Sequence, residues 1–346
     1  MAGLYDEEFV ARLSAAVTDL LPLWGLPEGS EVRLLALSEN ATFLARPPAD
    51  GRPVVIRVHR PDYHSRAEIE SELAWLAALK QDCPVQIPGI IPALSGERII
   101  SFTDQGQTRF VVASEFLEGV EPDPSAALIP GFRVLGATSA HLHNHARGWS
   151  RPAWFTRKSW DYEGAFGAAP IWGNWRDAIA LTAEGAAVLE QAELQLKSRL
   201  AGYGQDPSRF GVIHSDLRLA NLLMRDQEIA VIDFDDTGFS WFLYDLASAL
   251  TFYELDPVVP ALITAWIEGY RDVAPLSADE IAMIPSFIMY RRFAISAWIA
   301  THAETETARL AGHGHHTNET VEYARLYLAH EAKDGGDIFA LWQNRE

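Results

Sequence analysis

The chain has 346 residues, of which 48% are hydrophobic and 22% are charged. These proportions are ordinary for a globular protein, and the length favours two domains or two lobes that share one cleft. The 47 Asp and Glu residues outnumber the 28 Lys and Arg residues, so the formal net charge is -19. This balance argues against a nucleic-acid partner, which needs concentrated positive charge. It is compatible with a cationic or zwitterionic ligand, or with a charge that only aids solubility.

Several features indicate the compartment. The single cysteine, Cys83, permits neither an intramolecular disulfide nor a cysteine metal cluster, which fits a reducing environment. The acidic N-terminus lacks the basic and apolar regions of a secretory signal. The best candidate for a membrane span, residues 284–300, is interrupted by Arg291 and Arg292. We therefore predict a cytoplasmic protein without a membrane partner.

The first part of the chain predicts one helix and then a sheet. Residues 5–22 carry apolar residues at helical spacing, which predicts an amphipathic helix. Short β-branched runs predict an antiparallel meander of strands at 31–37, 41–45 and 54–59. The turn between the first two strands has no glycine, whereas loops that bind phosphates usually carry several. Taken alone, this segment is better explained as an ordinary hairpin turn.

A second helix is predicted at 67–80, and it carries Glu68, Glu70 and Glu72. Arg57 lies in the middle of the preceding strand. A strand cation paired with a helix glutamate would fix a group that contacts phosphate. Each glutamate taken singly is better explained by a solvated helix face, and a pair between Arg57 and one of them stays open.

Two further strands are predicted at 98–102 and 109–115, and the composition changes from strand-rich to helical at 115–119. We place a hinge there, whose backbone groups could hold a purine ring. Helices are predicted at 132–145, 176–200, 241–255, 258–273, 278–304 and 318–333.

Two groups of histidines are considered as metal ligands, and one aromatic segment is considered as the lining of a pocket. A spacing of two on a helix places side chains on different faces, so the histidines of the helix at 132–145 cannot converge on zinc. The glycine-rich segment 311–316 is predicted to be a solvated polar loop. Residues 148–175 are rich in aromatics that either anchor the segment or line a pocket, with Trp160 and Trp172 as the best pocket candidates. The two histidine groups are His141, His143 and His145, and His313, His315 and His316.

The stretch 211–236 carries the strongest functional pattern. A short buried strand is followed by a polar loop with Asp216 and Asn221, and two apolar runs then predict a hairpin that ends at Asp233. These three residues are therefore expected at one rim of a small sheet. Phosphoryl transfer requires an Asp that accepts a hydroxyl proton, together with an Asn and a second Asp that bind a metal.

The spacing of His214, Asp216 and Asn221, followed by Asp233 and Asp245, resembles the aminoglycoside phosphotransferase and choline kinase-like family. The resemblance is nearest to the bacterial homoserine kinase-like and stress response kinase groups. It implies an α+β, protein-kinase-like bilobal fold. The N-lobe, with its small antiparallel sheet, would cover residues 1–118, and the larger, mainly helical C-lobe would cover 119–346. It also implies ATP, Mg²⁺ and a small molecule with a hydroxyl group as the acceptor.

The resemblance implies roles for the matching residues. Asp216 would orient or deprotonate the attacking hydroxyl, and Arg218 would stabilise the transferred phosphoryl group. His214 and Asp245 would support the loop, and Asn221 and Asp233 would hold Mg²⁺. Nucleotide contacts would come from Ser38, Asn40, Thr42, Arg57, Glu72, Glu115 and Leu117. For the acceptor, which no motif identifies, the candidates are Trp160, Trp172, Tyr290 and Arg292.

Three positions depart from the family pattern. Arg57 stands where lysine is usual, and Ser215 where glycine is common. Asp235 replaces the glycine of the Asp-Phe-Gly motif and adds a carboxylate for a second metal or for the substrate. Arginine keeps the charge at position 57 but differs from lysine in length and shape.

Two alternatives remain beside a small-molecule kinase. A Ser/Thr protein kinase is suggested by Arg218, but only residues 237–244 separate the metal-binding segment from Asp245, which leaves little room for a peptide platform. A nucleotide-binding pseudokinase is suggested by Arg57 and the glycine-free loop. The intact Asp216, together with Asn221 and Asp233, argues against it.

Overall fold

The computed structural model describes residues 7–38, 40–48, 51–122, 128–225, 228–303, 305–333 and 336–343. The chain divides into two compact units. The first comprises Met1–Gly119, Ser150–Arg157 and Ala230–Ile232, and the second comprises Val120–Trp149, Lys158–Ile229 and Asp233–Glu346.

The first unit is built on a five-stranded antiparallel sheet in the order β1-β2-β3-β5-β4. Phe43, Ile56 and Ala113 are directly opposite one another on adjacent strands, and all three are buried. Leu13 and Val17 belong to the same apolar cluster. The predicted helix and meander are confirmed. The elements are α1 (Glu7–Leu20), β1 (Glu31–Leu37), β2 (Ala41–Arg46), β3 (Val54–Val58), α2 (Arg66–Asp82), β4 (Ile100–Asp104) and β5 (Gln107–Glu115).

The second unit is mainly helical. Its helices are α3 (Leu128–Gly148), α4 (Tyr162–Phe166), α5 (Ala183–Tyr203), α6 (Tyr244–Ala249), α7 (Val259–Arg271), α8 (Ala278–Ile281), α9 (Ile284–Thr301), α10 (Glu306–Leu310), α11 (His313–Glu331) and α12 (Ala340–Gln343). Strands β6 (Phe210–Ile213) and β9 (Gly238–Trp241) pair antiparallel. A hairpin joins β7 (Leu222–Arg225) to β8 (Glu228–Val231).

Helices α3 and α7 pack closely because each carries a glycine at the contact. A Cβ atom at Gly136 would collide with the carbonyl oxygen of Trp266, and one at Gly269 with that of Arg133. Backbones can approach so closely only where no side chain intervenes. This contact fixes the position of α3, the helix that carries His143.

Three predicted helices in the second unit are wrong in extent. The helix expected at 241–255 is shorter, since Trp241 ends β9 and α6 covers Tyr244–Ala249. Every residue from 240 to 250 is buried, so the sequence has no period that separates strand from helix. The helix expected at 176–200 begins at Ala183, where the side chain of Thr182 caps it. The single helix expected at 278–304 is divided into α8 and α9. Pro285 lies in the first turn of α9, where the second of these helices begins.

The segment 311–316 is not a polar loop throughout. Gly312, with a φ of 64°, forms the N-cap of α11, and the helix begins at His313. Histidine is compatible with a helix interior, so glycine content alone misplaced this boundary. Among the described residues, no helix is long and apolar enough to cross a membrane.

Candidate active site

The loop after β6 is held by one buried carboxylate. Asp245, in the first turn of α6, accepts hydrogen bonds from the backbone N–H groups of Ser215 (2.8 Å) and His214 (3.4 Å). The Asp245 side chain is fully buried. Because a buried carboxylate needs hydrogen bonds to its oxygens, these contacts fix the path of the loop. Asp245 thus contacts the loop as expected of a bracing residue.

His214 also holds this loop, through its own side chain. Its Nδ1 accepts a hydrogen bond from the backbone N–H of Asp216 (3.3 Å), and its ring lies 4.6 Å from that of Phe234. The side chain is buried. A buried ring that accepts from the backbone can orient the next residues of the chain, and the supporting role of His214 stays a prediction.

Sequence reasoning missed His143, which reaches the same carboxylate from α3. Its Nε2 donates to Asp245 (3.1 Å), and its Nδ1 accepts from the hydroxyl of Tyr270 (3.2 Å). Burial lowers the pKa of His143, and the neighbouring Asp245 only partly opposes this effect. The ring is therefore neutral and serves as a fixed donor. A histidine on the buried stripe of a helix needs a polar partner, and this is the signal that could have identified it.

Ser215 and Asp233 both have strained backbones, with φ values of 71° and 60°. This left-handed region is costly for residues with a Cβ atom, although Asp tolerates it better than most. Ser215 stands where the family commonly has glycine, which has no such cost. Ser215, which departs from the family pattern, therefore occupies a backbone position that favours glycine.

Asp216 lies at the centre of a polar cluster. One carboxylate oxygen, Oδ2, accepts from Nε of Arg218 (3.0 Å) and Nδ2 of Asn221 (2.7 Å). The other, Oδ1, accepts from Arg291 (2.6 Å). Burial alone would raise the pKa of Asp216, but the two guanidinium groups outweigh it and hold this pKa well below its usual range. Asp216 is therefore ionised at neutral pH.

Arg291 is the second residue that sequence reasoning missed. It lies on α9, is fully buried, and directs its guanidinium group at Asp216, with the ring of Trp172 5.6 Å away. An arginine in the middle of an apolar helix requires a buried acidic partner, and this was the available signal. The sequence argument selected the next residue, Arg292, instead.

The four acceptor candidates are buried. Trp160 and Trp172 contact each other, with ring centres 4.6 Å apart, in an apolar cluster beside α9. The hydroxyl of Tyr290 donates to the carbonyl oxygen of Asp161 (2.8 Å). Arg292 pairs with the buried Glu254 (2.8 Å). Their roles in binding the acceptor stay predictions.

The metal-ligand candidates offer oxygen atoms. Nδ2 of Asn221 is used by Asp216, because it donates to both the backbone oxygen (2.8 Å) and Oδ2 (2.7 Å). Its carbonyl Oδ1 is thus the atom suited to a cation. The Arg218 pKa is raised chiefly by the charge of Asp216 and also by that of Asp233, so these charges act on one another. Asp235 is buried two residues further on.

In the first unit, Arg57 pairs with Glu72. The three glutamates of α2 have separate tasks, since Glu68 completes the capping box with Ser65 and Glu70 pairs with Arg66 (3.0 Å). Glu72 alone is buried. The open question of which glutamate pairs with the strand arginine is settled in favour of Glu72.

A second arginine, Arg157, also approaches Glu72. Its NH1 lies 4.0 Å from Oε2 of Glu72 and donates to the carbonyl oxygen of Glu68 (3.0 Å). The backbone N–H of Thr156 donates to Ser71 (2.9 Å), which fastens this segment to α2. Part of the aromatic segment is therefore anchored to the helix that carries Glu72.

The predicted nucleotide residues of the first unit are also placed. In the turn, the N–H of Ser38 donates to the carbonyl oxygen of Asn40 (3.1 Å), and Oδ1 of Asn40 accepts from the N–H of Arg60 (3.1 Å). Thr42 lies opposite Arg57 in the sheet. The intervening Glu39 lies outside the described residues.

At the predicted hinge, Glu115 ends β5 and Leu117 follows it. The Glu115 carboxylate accepts hydrogen bonds from Lys80 (3.0 Å) and from the N–H of Gly89 (2.9 Å). Both hydrogen bonds lower the pKa of Glu115, and the one from Lys80 has the larger effect. Its carboxylate is therefore engaged in holding the 80–89 connection, while Leu117 is half-buried. The nucleotide roles of these residues stay predictions.

Comparison with known proteins agrees with this geometry. Residues 31–276 match the phosphotransferase enzyme family, APH. Amicoumacin kinase from Bacillus subtilis (strain 168) is 25% identical over 300 residues, which cover 82% of this chain and 85% of that protein. Homoserine kinase from Chelativorans sp. (strain BNC1) is 27% identical over 286 residues, covering 81% and 80%. The solved structure of a microcompartment-associated aminopropanol kinase is 39% identical, covers 93% of this chain and 98% of its own, and has a TM-score of 0.82.

These similarities confirm the α+β, protein-kinase-like fold, with its antiparallel sheet followed by a helical part. They favour neither the protein-kinase nor the pseudokinase alternative. The match covers most of the chain, including the loop of Asp216 and the segment of Asp233. The chain therefore belongs to the phosphotransferase enzyme family and is a kinase that phosphorylates a hydroxyl group of a small molecule.

Proposed function

We propose that the protein transfers the γ-phosphoryl group of ATP to the hydroxyl group of a small amino alcohol, with Mg²⁺ as the metal. The arrangement around Asp216 carries the proposal, because its ionised carboxylate is fixed by Arg218, Asn221 and Arg291. A fixed carboxylate of this kind is suited to orienting a hydroxyl group and taking its proton.

The class of acceptor is supported by the similarity to aminopropanol kinase at 39% identity and to homoserine kinase at 27% identity. Both named acceptors combine a hydroxyl group with an amino group. The net charge of -19 also favours a cationic acceptor over an anionic one.

The residues of the second unit fit a magnesium ion. Asn221, Asp233 and Asp235 provide a carbonyl and two carboxylates, the hard oxygen ligands that Mg²⁺ prefers. Asn221 has its amide nitrogen engaged by Asp216, so its carbonyl oxygen would be the atom that holds the cation. When bound, Mg²⁺ would neutralise charge on the nucleotide phosphates.

In the first unit, Arg57 would contact the α and β phosphates, with Glu72 orienting its guanidinium group. The turn at Ser38, Asn40 and Thr42 would contact the phosphates through its backbone, and the chain from Glu115 to Leu117 would hold the base. Arginine can donate to two phosphate oxygens at once, so its presence in place of lysine is compatible with this task.

The chemical step uses Asp216 and Arg218. Asp216 would take the hydroxyl proton as the acceptor oxygen bonds to the γ-phosphorus and the bond from that phosphorus to the leaving oxygen of ADP breaks. Arg218 would donate to the oxygens of the transferred group, where negative charge is concentrated. The products are a phosphate monoester and ADP, and the proton passes from Asp216 to solvent.

A panel of acceptors tests the proposal. Ester formation and ATP consumption are measured with aminopropanol, homoserine and choline, each beside an alcohol of similar size without the amino group, and with Mg²⁺, Ca²⁺ or a chelator. We expect an amino alcohol to be phosphorylated with Mg²⁺ and not with the chelator. Turnover restricted to alcohols without an amino group, or to an antibiotic such as amicoumacin, would contradict the proposed acceptor.

The Asp216→Asn variant tests the catalytic role. It keeps the shape but cannot take a proton, so kcat should fall by about 10³-fold while ATP binding persists. ATP affinity is measured by titration in parallel. Asp206→Asn, which changes an exposed acid of the same unit, is the control and should behave like the wild type. A variant that lost ATP affinity but kept turnover would show that Asp216 does not have this role.

A further inference from the structure

The two arginines that share the Asp216 carboxylate have different settings. The Arg291 side chain is 1% exposed and donates to Oδ1 at 2.6 Å. The Arg218 side chain is 32% exposed and donates to Oδ2 at 3.0 Å. One oxygen of the carboxylate therefore has a buried arginine as its partner, and the other has an arginine that reaches solvent.

Arg291 is held by further contacts that leave it a single orientation. Its Nε donates to the hydroxyl of Thr251 (3.0 Å). Its NH1 donates to the carbonyl oxygen of Ser215 (3.3 Å) and to the hydroxyl of Tyr244 (3.2 Å). Because the guanidinium group is planar and rigid, partners in several directions fix both its position and its plane. Arg291 thus ties α9 to the catalytic loop at Ser215 and Asp216.

Arg218 is attached differently. It belongs to the loop itself, and its Nε makes the contact with Asp216. A partly exposed ion pair can separate at little cost in free energy, since water replaces the lost contacts. A phosphate group near Arg218 would compete for its guanidinium group and release Oδ2. Arg291, being buried, has no comparable alternative to Asp216.

We infer that Arg291 is a positioning residue for phosphoryl transfer, which holds Oδ1 of Asp216 so that Oδ2 is the oxygen that receives the proton of the acceptor hydroxyl. This inference rests on the proposed role of Asp216 as the proton acceptor. During transfer the proton bonds to Oδ2, while Oδ1 keeps its hydrogen bond from Arg291. Asn221 stays beside Oδ2 and preserves the direction of the carboxylate.

The test replaces Arg291 and separates kcat from KM. Arg291→Met removes the contact with Oδ1 of Asp216, so kcat should fall by about 10²-fold from lost positioning, with KM for ATP unchanged. Arg291→Lys restores the charge but not all the contacts. It should restore kcat only in part, again with KM for ATP unchanged.

Two further variants keep the test decisive. Arg199→Met is the matched control, since Arg199 pairs with Glu331 (3.3 Å) in the same unit and makes no contact with the loop. It should change neither kcat nor KM. Tyr244→Phe removes the hydroxyl that accepts from NH1 of Arg291 (3.2 Å) and keeps the charge of Arg291. It should lower kcat by about fivefold without changing KM for ATP, and it tests the inference if Arg291→Met does not fold.

The outcomes separate the inference from the proposed function. An unchanged kcat in Arg291→Met, or an equal fall in Arg199→Met, would overturn the positioning role. So would an unchanged kcat in Tyr244→Phe if the methionine variant is unfolded. Absence of ester formation by the wild type with every amino alcohol of the panel would instead contradict the proposed function itself, whatever the arginine variants show.

Discussion

Ser215 combines two unfavourable features at the entrance to the catalytic loop. Its φ of 71° is in the left-handed region. Its hydroxyl oxygen is buried and has no hydrogen-bond partner among the described residues. The first feature costs about 1 kcal/mol for a residue with a Cβ atom, and the second adds a comparable amount. Both costs arise from the side chain, since the backbone groups of Ser215 are bonded to Asp245 and Ser248.

We expect Ser215→Gly to raise the free energy of unfolding by about 1 kcal/mol. The substitution removes the backbone strain and the cost of burying the hydroxyl group, and together these exceed the extra backbone entropy that glycine loses on folding. Chemical denaturation measures the change. Ser215→Ala is the comparison, since it removes the hydroxyl group but keeps the Cβ atom, and its gain should be smaller. A glycine variant less stable than the wild type would show that the serine side chain is favourable here.

At the scale of residues, sequence predicts what one short segment carries. Asp216, Asn221 and His214 come from one loop, so their spacing alone brings them together. Arg291 and His143 reach the site from α9 and α3, and no local spacing connects them to it. The Arg57–Glu72 pair is partly predictable from sequence. Helix α2 follows β3 directly, so a pair between the two elements is expected, but α2 offers three glutamates. Only burial distinguishes Glu72 from the other two.

At the scale of elements, α3 and α6 are joined to the catalytic loop through the ring of His143. The ring is neutral because burial lowers its pKa, and it donates to Asp245 while accepting from Tyr270. Arg147 donates in turn to the Tyr270 hydroxyl (3.2 Å). The loop therefore depends on a chain of hydrogen bonds that begins at the exposed Arg147, one turn further along α3, and is buried from Tyr270 onwards.

His143→Phe should lower the free energy of unfolding by about 2 kcal/mol at neutral pH, because Asp245 loses a donor to a buried charge. It should also lower kcat more than KM. A folded pKa below the unfolded value means that the histidine stabilises the protein fully above about pH 6.5 and loses this effect as the pH falls. The difference between wild type and variant should therefore narrow below that pH.

Denaturation curves at several pH values check this expectation. His141→Phe is the matched control, since it lies on the same helix but not on the face that meets Asp245, and it should leave both stability and kcat nearly unchanged. Equal effects of the two substitutions would mean that the hydrogen bond to Asp245 is not the cause.

The elements that sequence predicted well are those with one buried face. Strand β3 and helices α1 and α7 have a less buried side that gives their sequences a period. The same reasoning failed around Trp241 and α6, where burial on all sides removes the period. It also failed at the start of α11, where a glycine that caps the helix was taken for part of a loop.

At the scale of the whole molecule, the charge of -19 creates a field that attracts cations. For a cationic amino alcohol, kcat/KM at saturating ATP should fall by about threefold between about 20 and 200 mM salt, because salt screens this attraction. The measurement is a steady-state series at increasing NaCl. An uncharged alcohol of similar size should show no such fall, and an equal fall for both would point to an effect of salt on the enzyme itself.

The buried carboxylate of Asp245 also has a consequence for the order of folding. The residues that shape the catalytic loop lie on α3, on the loop itself and on α6, so their contacts join parts of the chain that are far apart in sequence. Contacts of this kind form late, because long loops must close before the contacts can stabilise the fold. We therefore expect the catalytic loop to reach its working shape only after the second unit has assembled around Asp245. Activity should mark the last event of refolding rather than an early one.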